Sequence, residues 1–406
     1  MGCLSILHNK KQKEIGAKAM RKTAAFFSVL ITICIILMLM FTPDYILANS
    51  KRNMLHEWHN KGVESYAGII NVWHIIGFKP HSGSTSIWLN TRAVEYEKKH
   101  KNIFINIVPM SVEEYYTMLA TGEKPDLVSF PLGLEYADSF LPYDLSFQES
   151  IESNMNSYLK AVGMVNDTAY ALPYFYSGYA LMLNTERINR TQLIFEEEIT
   201  NELLQQANDM LFEEATGKKK TIYGISGNPK VAALLGMHCT LGSYESFQNN
   251  NAGMALTDFR AVGDMERLNK NGKGVIFEAK PITAYTDLVQ LISVHSDIAP
   301  EKLSHAYEFI EYLFDEKAQA ELFNMNLYPV VQIENNDESY LTAIALDCYE
   351  IYKAPIVPNT FLYRRYNDSL NEEALRALSG DEEADKAFFN RINEMLIPSL
   401  RFDIAS

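Results

Sequence analysis

Cysteine is scarce, with four in 406 residues. A chain so poor in it does not rest on a disulfide framework, so an ordinary apolar core must hold the fold. Cys3 and Cys34 lie at the N-terminal end. Cys239 and Cys348 lie in the body, and a bridge between them or two separate buried thiols both fit the sequence. Catalytic signatures are missing too. There is no His-Glu-x-x-His, no Gly-x-Ser-x-Gly and no phosphate-cradling Gly-x4-Gly-Lys-Ser/Thr. "ATGKKKT" shares only the ending of the last and reads as a solvated helix end. Histidines are scattered; His56 and His59 stand three apart without further ligands beside them, so no metal and no cofactor is expected. Carboxylates are plentiful, but none forms a pair that spacing alone marks as an acid–base couple. Internal repeats and low-complexity segments are absent as well.

A net positive charge is found only at one end. Lys10, Lys11, Lys13, Lys18, Arg21 and Lys22 against Glu14 give residues 1–23 a net +5, so with the chain at −15 the remaining 383 residues carry −20. An acidic body repels phosphate backbones, and no nucleic-acid partner is expected. Hydrophobic residues at 47% are enough for two lobes, each with a core.

The basic start leads into "TAAFFSVLITICIILMLMF", residues 23–41, and no charge appears until Asp44. Eighteen such residues as a helix span about 27 Å, close to the hydrocarbon thickness of a bilayer. Positive charge before the run places that end in the cytoplasm and everything after about Asn49 outside. A retained transmembrane anchor and a signal peptide cut near Ala48-Asn49-Ser50 are the two readings; the length of the run favours the anchor. Cys34 follows Ile33, where a bacterial lipoprotein signal wants a small residue. "MGCLS" is followed by Ile6, where an acylation signal wants Ser or Thr.

Beyond a polar stalk, the pattern predicts strand, helix, strand, helix, strand over residues 68–131, hence a parallel sheet with right-handed crossovers. The helix over 84–99 is expected to bury Ile87, Ala93, Val94 and Tyr96. Ser111 and Glu114 form a capping box for the next helix. "ALPYFYSGYALMLN", residues 171–184, reads as one extended strand rich in tyrosine, with Leu172, Tyr174 and Tyr176 on one face. Helix is expected over 196–216, strands near 222, 252 and 277, and another strand in "AYTDLVQLISV". Pro300 opens a long helix through Leu303, Ala306, Ile310, Leu313 and Ala318, and more helix fills 337–353 and 371–396.

Several stretches together carry a resemblance. "GIINVWHIIGF" ends a strand in Trp73-His74; residues 95–99 close a helix in a charged run; Val108-Pro109 ends a strand; "PDLV" opens another. "GMALTDFRAVGDMERL" and "AYEFIEYLFDEKAQAELFNMNLYPV" follow in order. The chain from 68 to 331 resembles the family 1 extracellular solute-binding proteins of ABC importers, the carbohydrate type with a class II periplasmic-binding-protein fold. Two departures stand out: Ile75 and Ile76 follow Trp73-His74, and the chain between 236 and 252 is short for the family.

The resemblance implies an α/β fold of two lobes joined by a multi-strand hinge. The segments are a basic cytoplasmic tail (1–23), a transmembrane anchor or signal segment (24–47), a stalk (48–65), lobe 1 (66–172 with 280–327) and lobe 2 (173–279 with 328–406), the latter shortened between 236 and 252. Its ligand is expected between the lobes. Tyr174, Tyr176 and Ser177 belong to the first crossing, where tyrosine suits a sugar by offering an apolar face and a hydroxyl. Trp73, His74, Ser129 and Pro131 stand at strand ends, where open α/β sheets bind ligands. Asp258, Arg260 and Tyr285 complete the candidates; Trp88, mid-helix, is assigned to the core. The implied function is capture of a small ligand, a sugar or oligosaccharide, at the extracellular face of the membrane and its delivery to the transmembrane subunits of an ABC permease, with no bond made or broken. A membrane-anchored sensing receptor, a secreted glycoside hydrolase and a protein that has lost its ligand are the rival readings.

Overall fold

In the computed structural model the described residues are 67–195, 200–217, 219–282, 285–333 and 356–396. The expectations for residues 1–65, for a helix over 337–353 and for Cys348 lie outside them. Among the described residues no helix is long and apolar enough to cross a membrane.

The body opens with β1 (Gly68–Ile75), α1 (Thr85–Lys99), β2 (Ile103–Met110), α2 (Val112–Ala120) and β3 (Leu127–Pro131). Ser84 caps α1 by accepting from the Ile87 amide. Its buried face is Trp88, Leu89, Arg92, Ala93 and Tyr96, at spacings of three and four. Ile87 and Val94, expected inside, are exposed, because they stand seven residues apart on the face of the helix opposite that stripe, about half a turn away. The expected capping box at Ser111 and Glu114 closes in both directions.

A short helix α3 (Leu145–Glu152) and a small hairpin of β4 (Met164–Val165) and β5 (Thr168–Ala169) lead to β6 (Leu172–Tyr176) and β7 (Tyr179–Asn184). The expected single strand over 171–184 is therefore two, broken at Ser177 and Gly178. Next come α4 (Asn201–Leu211), β8 (Tyr223–Gly227), α5 (Pro229–Leu234), α6 (Tyr244–Gln248), β9 (Ala252–Asp258), α7 (Phe259–Lys270), β10 (Phe277–Ile282) and β11 (Val289–Val294). The expected long helix after Pro300 is α8 (Leu303–Leu313) and α9 (Glu316–Ala320), interrupted where Asp315 turns its side chain onto the amides of Lys317 and Ala318 and restarts the helix. Finally α10 (Thr360–Ala377) and α11 (Glu382–Glu394) pack on each other, and α10 also packs on α5.

Two main sheets result. The first has the order β2-β1-β3-β11-β6, the second β10-β7-β9-β8. β1, β2 and β3 run parallel as expected, with Trp73 beside both Val108 and Val128. The sheet as a whole is mixed, since β11 enters antiparallel between β3 and β6, putting Ile292 opposite Ser129. A strand arriving from the other sheet has no helical crossover to reverse it, so it pairs antiparallel. The chain thus leaves the first sheet after Tyr176 and joins the second at Tyr179. It returns between Ile282 and Val289.

Candidate functional site

Where β1 and β3 end, their alternating side chains build one sealed polar chain. His74 Nδ1 lies 2.7 Å from Ser129 Oγ and His74 Nε2 lies 2.9 Å from Thr85 Oγ1. Ser129 Oγ is 2.7 Å from the Tyr174 hydroxyl, and Gln290 donates to Ser129 Oγ at 2.9 Å and to the Ile75 carbonyl at 2.8 Å. Each of these groups is buried; His74 and Tyr174 are at 0% exposure. Burial pushes the His74 imidazole down to about 4, so it is neutral near pH 7. Three candidates, His74, Ser129 and Tyr174, are thereby brought together, with Trp88 stacked over the Tyr174 ring at 6.1 Å. Trp73 points to the opposite face, as the pleat requires, and meets Tyr115 edge-on at 5.9 Å.

At the first passage between sheets, Tyr176 is 3% exposed. Its hydroxyl is 2.8 Å from that of Tyr158, and its ring is 5.2 Å from Tyr328. Tyr328 in turn meets Phe259, the first residue of α7, at 5.8 Å. An aromatic contact therefore joins the first sheet to a helix of the second. Ser177 is tied through its backbone: its amide donates to the Leu288 carbonyl at 2.8 Å and its carbonyl accepts from Thr286 Oγ1 at 2.7 Å. These bonds lace the outgoing and returning segments side by side.

Tyr285 lies on the returning segment, fully buried beside a charged centre that the sequence reading missed. Asp287 accepts from the Tyr179 hydroxyl at 2.5 Å, from the Tyr363 hydroxyl at 2.8 Å and from the Lys230 ammonium. Lys230 also donates to the Tyr363 hydroxyl at 2.7 Å. Burial pushes the Asp287 carboxyl up, but Lys230 and the two phenols outweigh it and hold the group below the usual carboxylate range. No sequence signal marks this cluster, because its members come from β7, α5, the return segment and α10.

The last candidates face the loop after β1. Asp258 caps α7 by accepting from the Ala261 amide at 2.9 Å, and burial raises its pKa. Arg260 donates from Nη1 to the His81 carbonyl at 3.2 Å and the Pro80 carbonyl at 3.4 Å. His81 Nε2 is 3.1 Å from Glu266 Oε2. The His81 ring lies over Gly263, where an added Cβ would stand 2.6 Å from it. Loop 76–84 therefore bears directly on α7. At its start Gly77 presses on Pro131, where a Cβ would fall 2.1 Å from the proline Cβ. Pro131 thus supports the loop rather than facing a cavity.

Three surface pockets are evident: one of about 490 Å³ bordered by α1, α3 and α8, one beside α4 and Gly236, and one between α4 and α10. None of the three is lined by a candidate residue. What joins the two halves is direct contact, Arg260 and His81 above and Tyr176, Tyr328 and Phe259 below.

No protein-family model matches the chain, and no curated protein does. Solved structures do. A cyclic alpha-maltosyl-1,6-maltose binding protein from Arthrobacter globiformis is 14% identical with a TM-score of 0.59, over 81% of this chain and 98% of that one. An ABC substrate-binding protein of Listeria monocytogenes in complex with cycloalternan is 16% identical with a TM-score of 0.55, over 81% and 98%. The fold is that of the ABC substrate-binding proteins. A third example, the galacto-N-biose/lacto-N-biose I-binding protein of Bifidobacterium longum, gives 14% and 0.56 over 81% and 96%.

Proposed function

We propose that the body is a two-lobed solute-binding protein that closes on a sugar or oligosaccharide and presents it to an ABC permease. Lobe 1 is built on the first sheet and lobe 2 on the second, with the hinge at 177–178 and 285–288. The observation that carries this reading is the double passage between two sheets, in a fold otherwise seen in proteins solved with bound oligosaccharides. The ligand site lies where loop 76–84 meets α7. Arg260, His81 and Glu266 form its polar rim, and the rings of Tyr176, Tyr328 and Phe259 form its floor. Here the two sides touch each other, so entry of a ligand requires the lobes to part. Closure around it is then set by how much better the ligand binds the closed form than the open one. Residues 24–47 hold the body at the extracellular face of the membrane.

The test is calorimetry and thermal shift with α-glucan, manno- and galacto-oligosaccharides. Micromolar binding, about −8 kcal/mol, by at least one class is expected, with a higher melting temperature for the complex. A folded protein whose melting temperature no oligosaccharide raises removes the basis of the proposal.

A further inference from the structure

Where α1 packs on α8, away from the interlobe contact, three metal-binding side chains converge. His305 and Glu308 stand three apart on α8 and so share a face of the helix. His100 caps the C-terminal end of α1. Glu308 Oε2 lies 3.5 Å from His305 Nδ1 and 3.7 Å from His100 Nδ1. Ligand atoms of all three lie within 4.8 Å of one another. A tetrahedral Zn²⁺ held at about 2.0–2.1 Å by nitrogen and oxygen spaces its ligands by about 3.3–3.4 Å. The two Glu308 separations are within a few tenths of an ångström of that.

The surroundings suit a metal as well. The Tyr96 ring stacks on the His100 imidazole at 4.0 Å and fixes its plane. The Tyr96 hydroxyl is 3.1 Å from Glu308 Oε2, the kind of outer hydrogen bond that steadies a ligating carboxylate. The cavity of about 490 Å³ alongside is also lined by Glu311 and Asp315, giving a path for the ion and room for a water as fourth ligand.

We propose that His100, His305 and Glu308 form a binding site for a divalent transition metal, with Zn²⁺ the best match. Two imidazoles and one carboxylate favour zinc-like ions and disfavour the oxygen-seeking Mg²⁺ and Ca²⁺. A bound ion would clip α1 to α8. This site is independent of any sugar bound between the lobes.

The full-length chain, purified in detergent and stripped with a chelator, would be titrated with Zn²⁺ by calorimetry, and with Co²⁺ by visible absorption. His100→Gln and Glu308→Gln are the variants, because both positions are partly exposed; His305 is buried and is left alone. One equivalent of Zn²⁺ is expected to bind and raise the melting temperature. Each variant should weaken binding at least about tenfold and lose the Co²⁺ absorption, with the metal-free melting temperature nearly unchanged. Absence of Zn²⁺ binding in the parent protein, or equal affinity in parent and both variants, would overturn the assignment.

Discussion

The ammonium of Lys230 and the carboxylate of Asp287 meet inside the protein, one from the first turn of α5 and the other from the segment that returns to the first sheet. Two phenols, Tyr179 and Tyr363, complete the shell around the carboxylate. Three separate elements, β7, α5 and α10, are thus fastened by a single anion to the segment that returns to the first sheet.

Asp287→Asn should be costly, because it leaves Lys230 buried without its counter-charge. A loss of about 3–5 kcal/mol is expected in urea unfolding at pH 7. The folded pKa of Asp287 is depressed, so its contribution is complete above the ordinary carboxylate range and fades as pH falls through the folded value. The gap between parent and variant should therefore narrow below about pH 4. A constant gap across that range would show that the charge is not what matters.

His74 makes the opposite kind of test, since no charged partner is involved. Its folded pKa of about 4 lies below the ordinary 6.5. The stability it contributes is full above 6.5 and is lost as pH falls toward 4. The shift corresponds to about 3 kcal/mol between the two limits. His74→Gln should lose that part of the acid sensitivity between pH 6.5 and 4, read as a flatter plot of unfolding midpoint against pH. An unchanged slope would mean that the imidazole is reached by water.

Gly263→Ala should separate loop 76–84 from α7. The methyl group would collide with the His81 ring, and the ring cannot move without lengthening its contact to Glu266. Alanine favours the helix itself by up to about 1 kcal/mol over glycine. Hydrogen exchange in 76–84 should therefore rise while α7 stays protected. Were the loop amides unaffected, the contact drawn here between loop and helix would be wrong.

Tyr176→Ala removes a ring enclosed by Tyr158 and Tyr328. A loss of about 3–5 kcal/mol in the ligand-free protein follows from such burial. Tyr176→Phe keeps the ring and drops only the bond to Tyr158, costing about 1 kcal/mol. Comparing the two by denaturation, and then by sugar calorimetry, separates support of the fold from contact with ligand. A small loss for Tyr176→Ala, with binding abolished, would place the ring at the ligand instead of in the core.

Much of the local structure was legible because its causes are local. Ser111 and Glu114 announce a cap, Pro229 sits in the first turn of a helix, and Gly68 through Pro131 alternate strand and helix at the right lengths. The errors have one source. Ile87 and Val94 look buried by type, but the opposite stripe, holding Trp88, Leu89 and Tyr96, is the buried one. "ALPYFYSGYALMLN" looks continuous because its alternation persists across Ser177 and Gly178, while hydrogen bonding assigns its halves to different sheets.

By itself the sequence determined many of the helices and strands, the parallel start of the first sheet and the resemblance of residues 68–331, since periodicity and capping act over a few residues. Only the tertiary structure decided that β11 runs antiparallel, that Asp287 gathers Lys230, Tyr179 and Tyr363, and that His100 meets His305 and Glu308. Those partners lie tens to hundreds of residues apart. Burial of apolar faces brings them together, and nothing in the local order of residues records which polar groups that burial will leave side by side.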